Sequence, residues 1–503
     1  MIVGVDVGTT VTKAALIGRD GRAVRSAAAP SQLVRRGVEV EQDLEDVLST
    51  VAAVVREVCA GVDAPVDAIA LTGQGDGLWL RDADGYAVRP PISWQDGRAS
   101  SLVEEWRAEG APDGVMAQVF ALTGSGLFPG SHAALLAYLD AHEPESLRRA
   151  AVAGYCIDAV LQRLTGTISV DASDASLPFL DVRSRTYVDE ALELCGIAGW
   201  RHLLAEPAPP HAVFALDDRG AALLGLPVGT PVTAGPYDLQ ACGFGSGSVA
   251  EHDATMVVGT TLACQVLTTD ATVRAGDEPA GMWLCTPDPA TYLHVMPSMV
   301  GTAGVDWALR TLGLEITALD TLLADSAPGA GGVRAFPYFS AAGERAPFVD
   351  PRARGRLDGM TLSTTPADLV RAVCESVAYA ARHCFDRLGL SGEVAACGGG
   401  TRSKAWLQIF ADVLGTDIHV PREPLVGARG AALVAWESLG VDIDVAAWRA
   451  DRDVIAPSPA SARYEVGYRR YLDDLATARA SWSPASGAPA SEEPASGAQG
   501  ATA

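Results

Sequence analysis

MIVGVDVGTTVTKAALIGRDG, residues 1–21, is an apolar strand that carries a single carboxylate, Asp6, and breaks at Gly8-Thr9-Thr10 before a second apolar run returns. Ile2, Val3 and Val5 predict a buried strand, and Val11, Thr12 and the apolar Ala14 to Ile17 predict its hairpin partner. Gly8 lets the backbone approach a ligand closely, and the N–H groups and Thr hydroxyls that follow can point at phosphate oxygens. An ordinary hairpin whose Asp6 merely caps the turn would read the same way. The pattern returns in ATMVVGTTLACQVL, residues 254–267, as strand, Gly259-Thr260-Thr261, strand. One such turn in each half of the chain strengthens the phosphate reading and predicts a nucleotide gripped between two similar domains.

A chain of 503 residues is too long for one core and predicts two to four units. Its 48% hydrophobic and 20% charged residues are ordinary globular values, so most of it is expected to fold. The formal net charge of −24 argues against a nucleic-acid partner. An anionic nucleotide such as ATP must then be held by local N–H groups, helix N-termini and a cation, which implies Mg2+. The nine cysteines stand singly, so neither a zinc site nor a disulfide framework is predicted, and a reduced, cytoplasmic protein is expected. No basic segment precedes an apolar run near residue 1, and no stretch of about 18 apolar residues occurs, so no membrane partner is expected.

Strands alternate with helices along the chain, the pattern of α/β layers. DAIALTG (67–73) predicts a buried strand, and DADG (82–85) a turn. LVEEWRAEG (102–110), with Gly110 as its stop, and AALLAYLDAHEPESLRRAAV (133–152) have helical periodicity. A long helix is predicted from Pro366 to just before Gly389, and GEVAACGGGTRSKAWLQIFADVLG (392–415) reads as strand, glycine loop and helix, an anion or nucleotide site. GFGSG (243–247) reads as a hinge and sets the predicted boundary between domains at 1–245 and 246–480. The Pro-, Ala-, Ser- and Gly-rich tail, 481–503, is expected to be disordered.

VDVGTT (5–10), GQGDG (73–77), WQDGR (94–98), GPYD (235–238), VGTT (258–261), FPYFSAAGERAP (336–347), ARGRLDGM (353–360) and CGGGTRSKAW (397–406) follow one another in an order that resembles the FGGY carbohydrate kinases. The resemblance covers roughly residues 1 to 475 and implies an α/β, two-domain actin-like (ribonuclease H-like) sugar kinase fold with a cleft between the domains. It implies ATP and Mg2+ as cofactors, with Asp238 as the base that accepts the acceptor's proton; an N-cap role for Asp238 stands beside that reading. Asp6 resembles the family's metal-associated carboxylate. Thr9, Thr10, Lys13 and Thr260 fall on positions that approach the phosphates, and Gly301, Gly399 and Ser403 on positions at the adenosine end. A homodimer is an open expectation. A non-enzymatic actin-fold ATPase or a sugar sensor is the alternative of another class.

The acceptor is to be read from TGQGDGLWL (72–80). Glycerol kinase carries an Arg-Glu pair after the glutamine and xylulokinase a Met-His pair, whereas here the matching residues are Gly75 and Asp76. GQGDG is similar to the erythritol kinase and L-xylulose kinase branch. A carboxylate at 76 can accept bonds from two neighbouring hydroxyls of a small sugar or polyol, and Gly75 is expected to leave room for a longer acceptor. Asp76 as an Asx-turn residue is the structural alternative. Gln74 and Asp96 complete the expected acceptor set, with the alternative that Asp96 and Arg98 form a pair that only braces the pocket. Trp79 and Trp94 read as core, with packing against the C–H face of the acceptor as the alternative, and His132 faces either the cleft or solvent.

Overall fold

The computed structural model describes residues 1–62, 64–108, 114–273, 277–340 and 342–482. Gly110, the expected helix stop, and residues 483–503 of the expected tail lie outside the described residues.

Two mixed sheets organise the chain, and each is built on a hairpin with a parallel neighbour. In the first, Ile2–Val7 pairs antiparallel with Val11–Ile17 and parallel with Ala68–Gly73, which in turn runs parallel to Pro231–Ala234. In the second, Ala254–Val258 pairs antiparallel with Leu262–Thr268 and parallel with Val394–Cys397. The central strands are apolar on both faces because helices cover both sides, the requirement of a parallel core. Their carboxyl ends release Gly8–Thr10, Gln74–Gly77, Gly235–Asp238, Gly259–Thr261 and the Gly398 loop. Ligands of open α/β sheets bind at such ends.

Local signals set the helices. Thr365 and Asp368 form a capping box ahead of Pro366–Leu388, and Gly389 closes that helix in the left-handed region. The periodic stretch 133–152 is two helices, His132–His142 and Pro144–Arg149, because Pro144 cannot continue the first. The last helix runs Ser461–Trp482.

The expected hinge at 243–247 is a packing site. Gly243 and Gly245 belong to the helix Asp238–Gly245, which crosses the helix Val426–Ser438 at backbone contact. A Cβ at Gly245 would stand 1.8 Å from the Val426 carbonyl oxygen, and one at Gly430 1.9 Å from that of Ala241. Arg429, 3% exposed, donates to the carbonyls of Gly21, Gly245 and Trp448 and so ties three segments at this crossing. Gly430→Ala is expected to lower stability by about 1–3 kcal/mol, the usual cost of overpacking, read as an earlier thermal unfolding transition.

Candidate active site

Asp238 is the first residue of the helix Asp238–Gly245 and lies where the strand Pro231–Ala234 leaves the first sheet. The N–H of Leu239 bonds its carboxylate, but the N-cap alternative does not hold: Tyr237 occupies the cap position without a side-chain cap bond, and Asp238 is the first residue inside the helix. Loss of water around this half-buried group, reinforced by the negative charges of Asp6 and Asp76, pushes its pKa up to about 8, and Lys13 opposes the shift.

Asp6 sits directly across the first hairpin from Lys13. Burial raises its pKa and the Lys13 ammonium opposes the rise. A Cβ at Gly427 would stand 2.8 Å from Asp6 Oδ2, so this glycine lets the start of the helix Val426–Ser438 come up to the carboxylate. Among the described residues no three His, Cys, Asp or Glu side chains form a metal cage. A single half-buried carboxylate fits Mg2+, which takes one or two protein carboxylates and fills its shell with phosphate oxygens and water.

The acceptor loop is more committed than its sequence suggests. Gln74, 3% exposed, uses its amide nitrogen on Gln42 Oε1 (2.8 Å) and its oxygen on the Thr9 hydroxyl (3.0 Å). Trp94 Nε1 donates to the same Thr9 oxygen at 2.9 Å. Gln74 and Thr9 therefore tie the phosphate turn to the acceptor loop, and neither presents a free group as expected. Thr10 and Thr260, at the two turns, are exposed. Trp79 is core, at 1% exposed, whereas Trp94 lines the cleft.

Asp96 is a brace and not a ligand. Its Oδ1 accepts from the backbone N–H and Nε of Arg98, and its Oδ2 from Val40 N–H and Arg98 Nη2, at 2.6–2.9 Å. All four lone-pair directions are taken. His132 faces neither cleft nor solvent: it is fully buried, lies against the Tyr155 ring at 4.8 Å with the two planes tilted by 36°, and donates from Nδ1 to the Gly77 carbonyl. Burial lowers its pKa to about 4, so it is neutral and supports the loop from behind.

Asp76 is the exception. It is 5% exposed, its backbone is in the left-handed region at φ 52°, and its carboxylate accepts no hydrogen bond among the described residues. Burial pushes its pKa up to about 7, against the pull of Arg345. A non-glycine residue held at positive φ with a buried, unsatisfied carboxylate is local strain of the kind found at binding sites. The space expected beside Gly75 is already filled: a Cβ there would stand 2.3 Å from Tyr237 Cε2 and 2.9 Å from Asp174 Oδ1.

Arg345, unassigned in the sequence reading, completes the site. It comes from the second half of the chain, donates from Nε to the Pro297 carbonyl at 3.0 Å, and lies over the rings of Phe128 (4.7 Å) and Trp94 (5.3 Å). Its neighbour Glu344 fixes this segment by accepting from Ser298 Oγ and the backbone N–H groups of Met299 and Arg345. The signal was within FPYFSAAGERAP, but the contact is made across some 250 residues. Arg345, Trp94, Phe128, Thr261 and Met299 border a cleft of about 550 Å³.

A second cavity of about 370 Å³ opens beside Gly399, Ser403, Thr302, Asp320 and Trp406. A Cβ at Gly399 would point into open space within it. Ser403 is anchored: it accepts from Trp406 N–H as the cap of the helix Lys404–Leu414 and donates to Asp320. Gly301 does not line this cavity. Its N–H bonds the Thr260 carbonyl at 2.9 Å, and a Cβ there would stand 2.5 Å from the Gly259 oxygen, so it holds the second hairpin turn from beneath.

The family descriptions "FGGY family of carbohydrate kinases", N-terminal and C-terminal domains, match residues 1–245 and 254–438. The chain belongs to the FGGY family of carbohydrate kinases. It is 32% identical over 475 residues to an erythritol kinase of Brucella abortus, covering 89% of this chain and 90% of that one. It is 30% identical to a xylulose kinase of Escherichia coli, over 86% and 89% of the two chains. Among solved structures, a xylulose kinase from Rhodospirillum rubrum matches at a TM-score of 0.82 and 30% identity over 95% of this chain and 99% of its own. A ligand-bound xylulose kinase from Lactobacillus acidophilus matches at 0.87 over 96% and 99%, and at 23% identity shows the shared fold. This FGGY protein is a sugar or polyol kinase with the family's two-domain fold. Among the described residues no helix is long and apolar enough to cross a membrane.

Proposed function

We propose that this kinase transfers the terminal phosphoryl group of ATP to a small linear polyol of the erythritol kind, with residues 1–245 carrying the acceptor site and 246–480 the nucleotide site. The observation that carries the reading is Asp76, a buried carboxylate that accepts no hydrogen bond among the described residues and whose charge adds to the cost of ionising Asp238. An ionised carboxylate only accepts hydrogen bonds, so two neighbouring hydroxyls of a polyol satisfy it. Asp238 then takes the proton of the hydroxyl that attacks the phosphorus, and Lys13, Thr10 and Thr260 face the phosphates. Asp6 would hold Mg2+, which supplies charge neutralisation between phosphate oxygens. The similarity to the Brucella erythritol kinase supports the same acceptor class.

The test is ADP release with erythritol, L- and D-xylulose, xylitol, ribitol and glycerol. Erythritol is expected to give the highest kcat/KM; a ketose ahead of every polyol overturns the polyol reading. For the nucleotide side, Gly399→Val fills open cavity and is expected to raise the KM for ATP roughly tenfold or more, matching the ~1–3 kcal/mol cost of overpacking, with the acceptor KM unchanged. An unchanged KM for ATP would place the adenosine end elsewhere.

A further inference from the structure

We propose that Tyr237 is a specificity-determining residue for the acceptor: its ring occupies the volume that a side chain at position 75 would take, and its hydroxyl faces the acceptor together with Asp76 and Asp238. The inference rests on the acceptor site proposed above and names the residue that shapes it.

The packing is one-for-one. A Cβ at Gly75 would stand 2.3 Å from Tyr237 Cε2 and 2.5 Å from Cδ2, so the two positions cannot both carry bulk. Its neighbours pack the ring in this place. The N–H of Tyr237 donates to the Ser173 hydroxyl at 2.8 Å, Ser173 in turn donates to Asp171, and the ring belongs to the apolar cluster that includes Tyr155, Ala175 and Leu177. Beneath it Asp174 is fully buried with both carboxylate oxygens unpartnered, a polar floor that Gly75 and the ring close off.

The hydroxyl is the exposed end of this otherwise sealed group. Tyr237 is 9% exposed, and its hydroxyl makes no hydrogen bond among the described residues yet is not shut off from solvent. Asp238, Asp76, Arg345 and Asp174 all act electrostatically on it, and burial with these carboxylates holds the phenol protonated. A protonated phenol supplies what the carboxylates lack. Each acceptor hydroxyl donates one hydrogen bond and can accept others, so Asp76 and Asp238 take the donated bonds while the Tyr237 O–H gives one to an acceptor oxygen. A site that hydrogen-bonds a substrate hydroxyl discriminates against acceptors that lack it, because its own polar group is then left unpaired.

Tyr237→Phe keeps the ring on Gly75 and removes only the hydroxyl. Its kcat/KM for the best wild-type acceptor is expected to fall about 3- to 10-fold, the range of one neutral hydrogen bond, mainly through KM. The KM for ATP and the melting temperature are expected to stay put. Gly75→Met should lose acceptor binding, and Gly75→Met with Tyr237→Gly should recover part of it with a changed order of acceptors. Unchanged acceptor kinetics in Tyr237→Phe for every acceptor the wild type uses, or a double variant no better than Gly75→Met, overturns the inference while leaving the kinase reading standing. A wild type that phosphorylates no small polyol or ketose overturns both.

Discussion

Asp238→Asn is expected to bind nucleotide and acceptor almost as the wild type does and to lose about 10²- to 10⁴-fold in kcat, the usual loss on removal of a general base. The amide keeps the shape and the bond from Leu239 N–H but cannot take a proton at the reacting oxygen. Single-turnover measurements of phosphoryl transfer at saturating ATP check the loss; a kcat within tenfold of wild type removes Asp238 from the proton transfer. Stability should move the other way. The folded pKa of about 8 lies above the ordinary 3.8, so the folded state holds a proton that the unfolded state has released between these pH values. Folding stability from this group is therefore present at low pH and lost as pH rises toward 8. Allowing for partial exposure, keeping Asp238 protonated in the folded state costs on the order of 2 kcal/mol at neutral pH. Asp238→Asn should melt above the wild type at pH 8, with the gap closing toward pH 5. In wild-type kinetics the sign reverses, because the ionised carboxylate is the working form: kcat/KM should fall tenfold per unit on the acid side.

The parts of this architecture that sequence makes legible are those whose cause is local. Each hairpin is written in alternating β-branched residues around Gly-Thr-Thr, and Pro366 and Gly389 bound their helix by chemistry at its own ends. Their duplication is visible for the same reason. What the sequence hides is which polar groups are already spent. Asp96 and Gln74 look like acceptor ligands until Val40, Arg98, Thr9 and Gln42 are seen to satisfy them, and those partners lie between 2 and 65 residues away. Gly75 illustrates the converse: its missing side chain reads as space, but Tyr237 arrives from a different strand end to fill it. Gly301 and Gly245 are glycines because backbone passes close by, a demand made by remote segments. Arg345 is the hardest case, since a lone arginine in a Gly- and Pro-rich loop gains its meaning only when the second half of the chain lays it over Trp94 and Phe128.

Asp76→Ala is the variant that separates an acceptor ligand from a turn former. If the carboxylate grips neighbouring hydroxyls, its removal should cost about 1.5–3 kcal/mol of charged hydrogen bonding, roughly 10- to 150-fold in kcat/KM for the acceptor. The KM for ATP should not change, because the nucleotide cavity beside Gly399 is bordered by neither Asp76 nor its loop. The fold should not suffer either. A carboxylate that accepts no protein hydrogen bond and is pushed up to about 7 by burial is a cost to the free protein, so its loss is expected to leave the melting temperature level or higher. Two terms oppose this: the lost attraction of Arg345, and the backbone at φ 52°, which Asp tolerates better than Ala. Asp76→Asn keeps that tolerance and isolates the charge: it should also raise the acceptor KM, since an amide offers one acceptor oxygen in place of two. Placing Met at 75 and His at 76 should not convert the enzyme into a D-xylulose kinase, because the methionine would collide with Tyr237. If Asp76→Ala and Asp76→Asn both leave acceptor kinetics untouched, Asp76 shapes only the turn and Arg345 must find its counter-charge in the substrate itself.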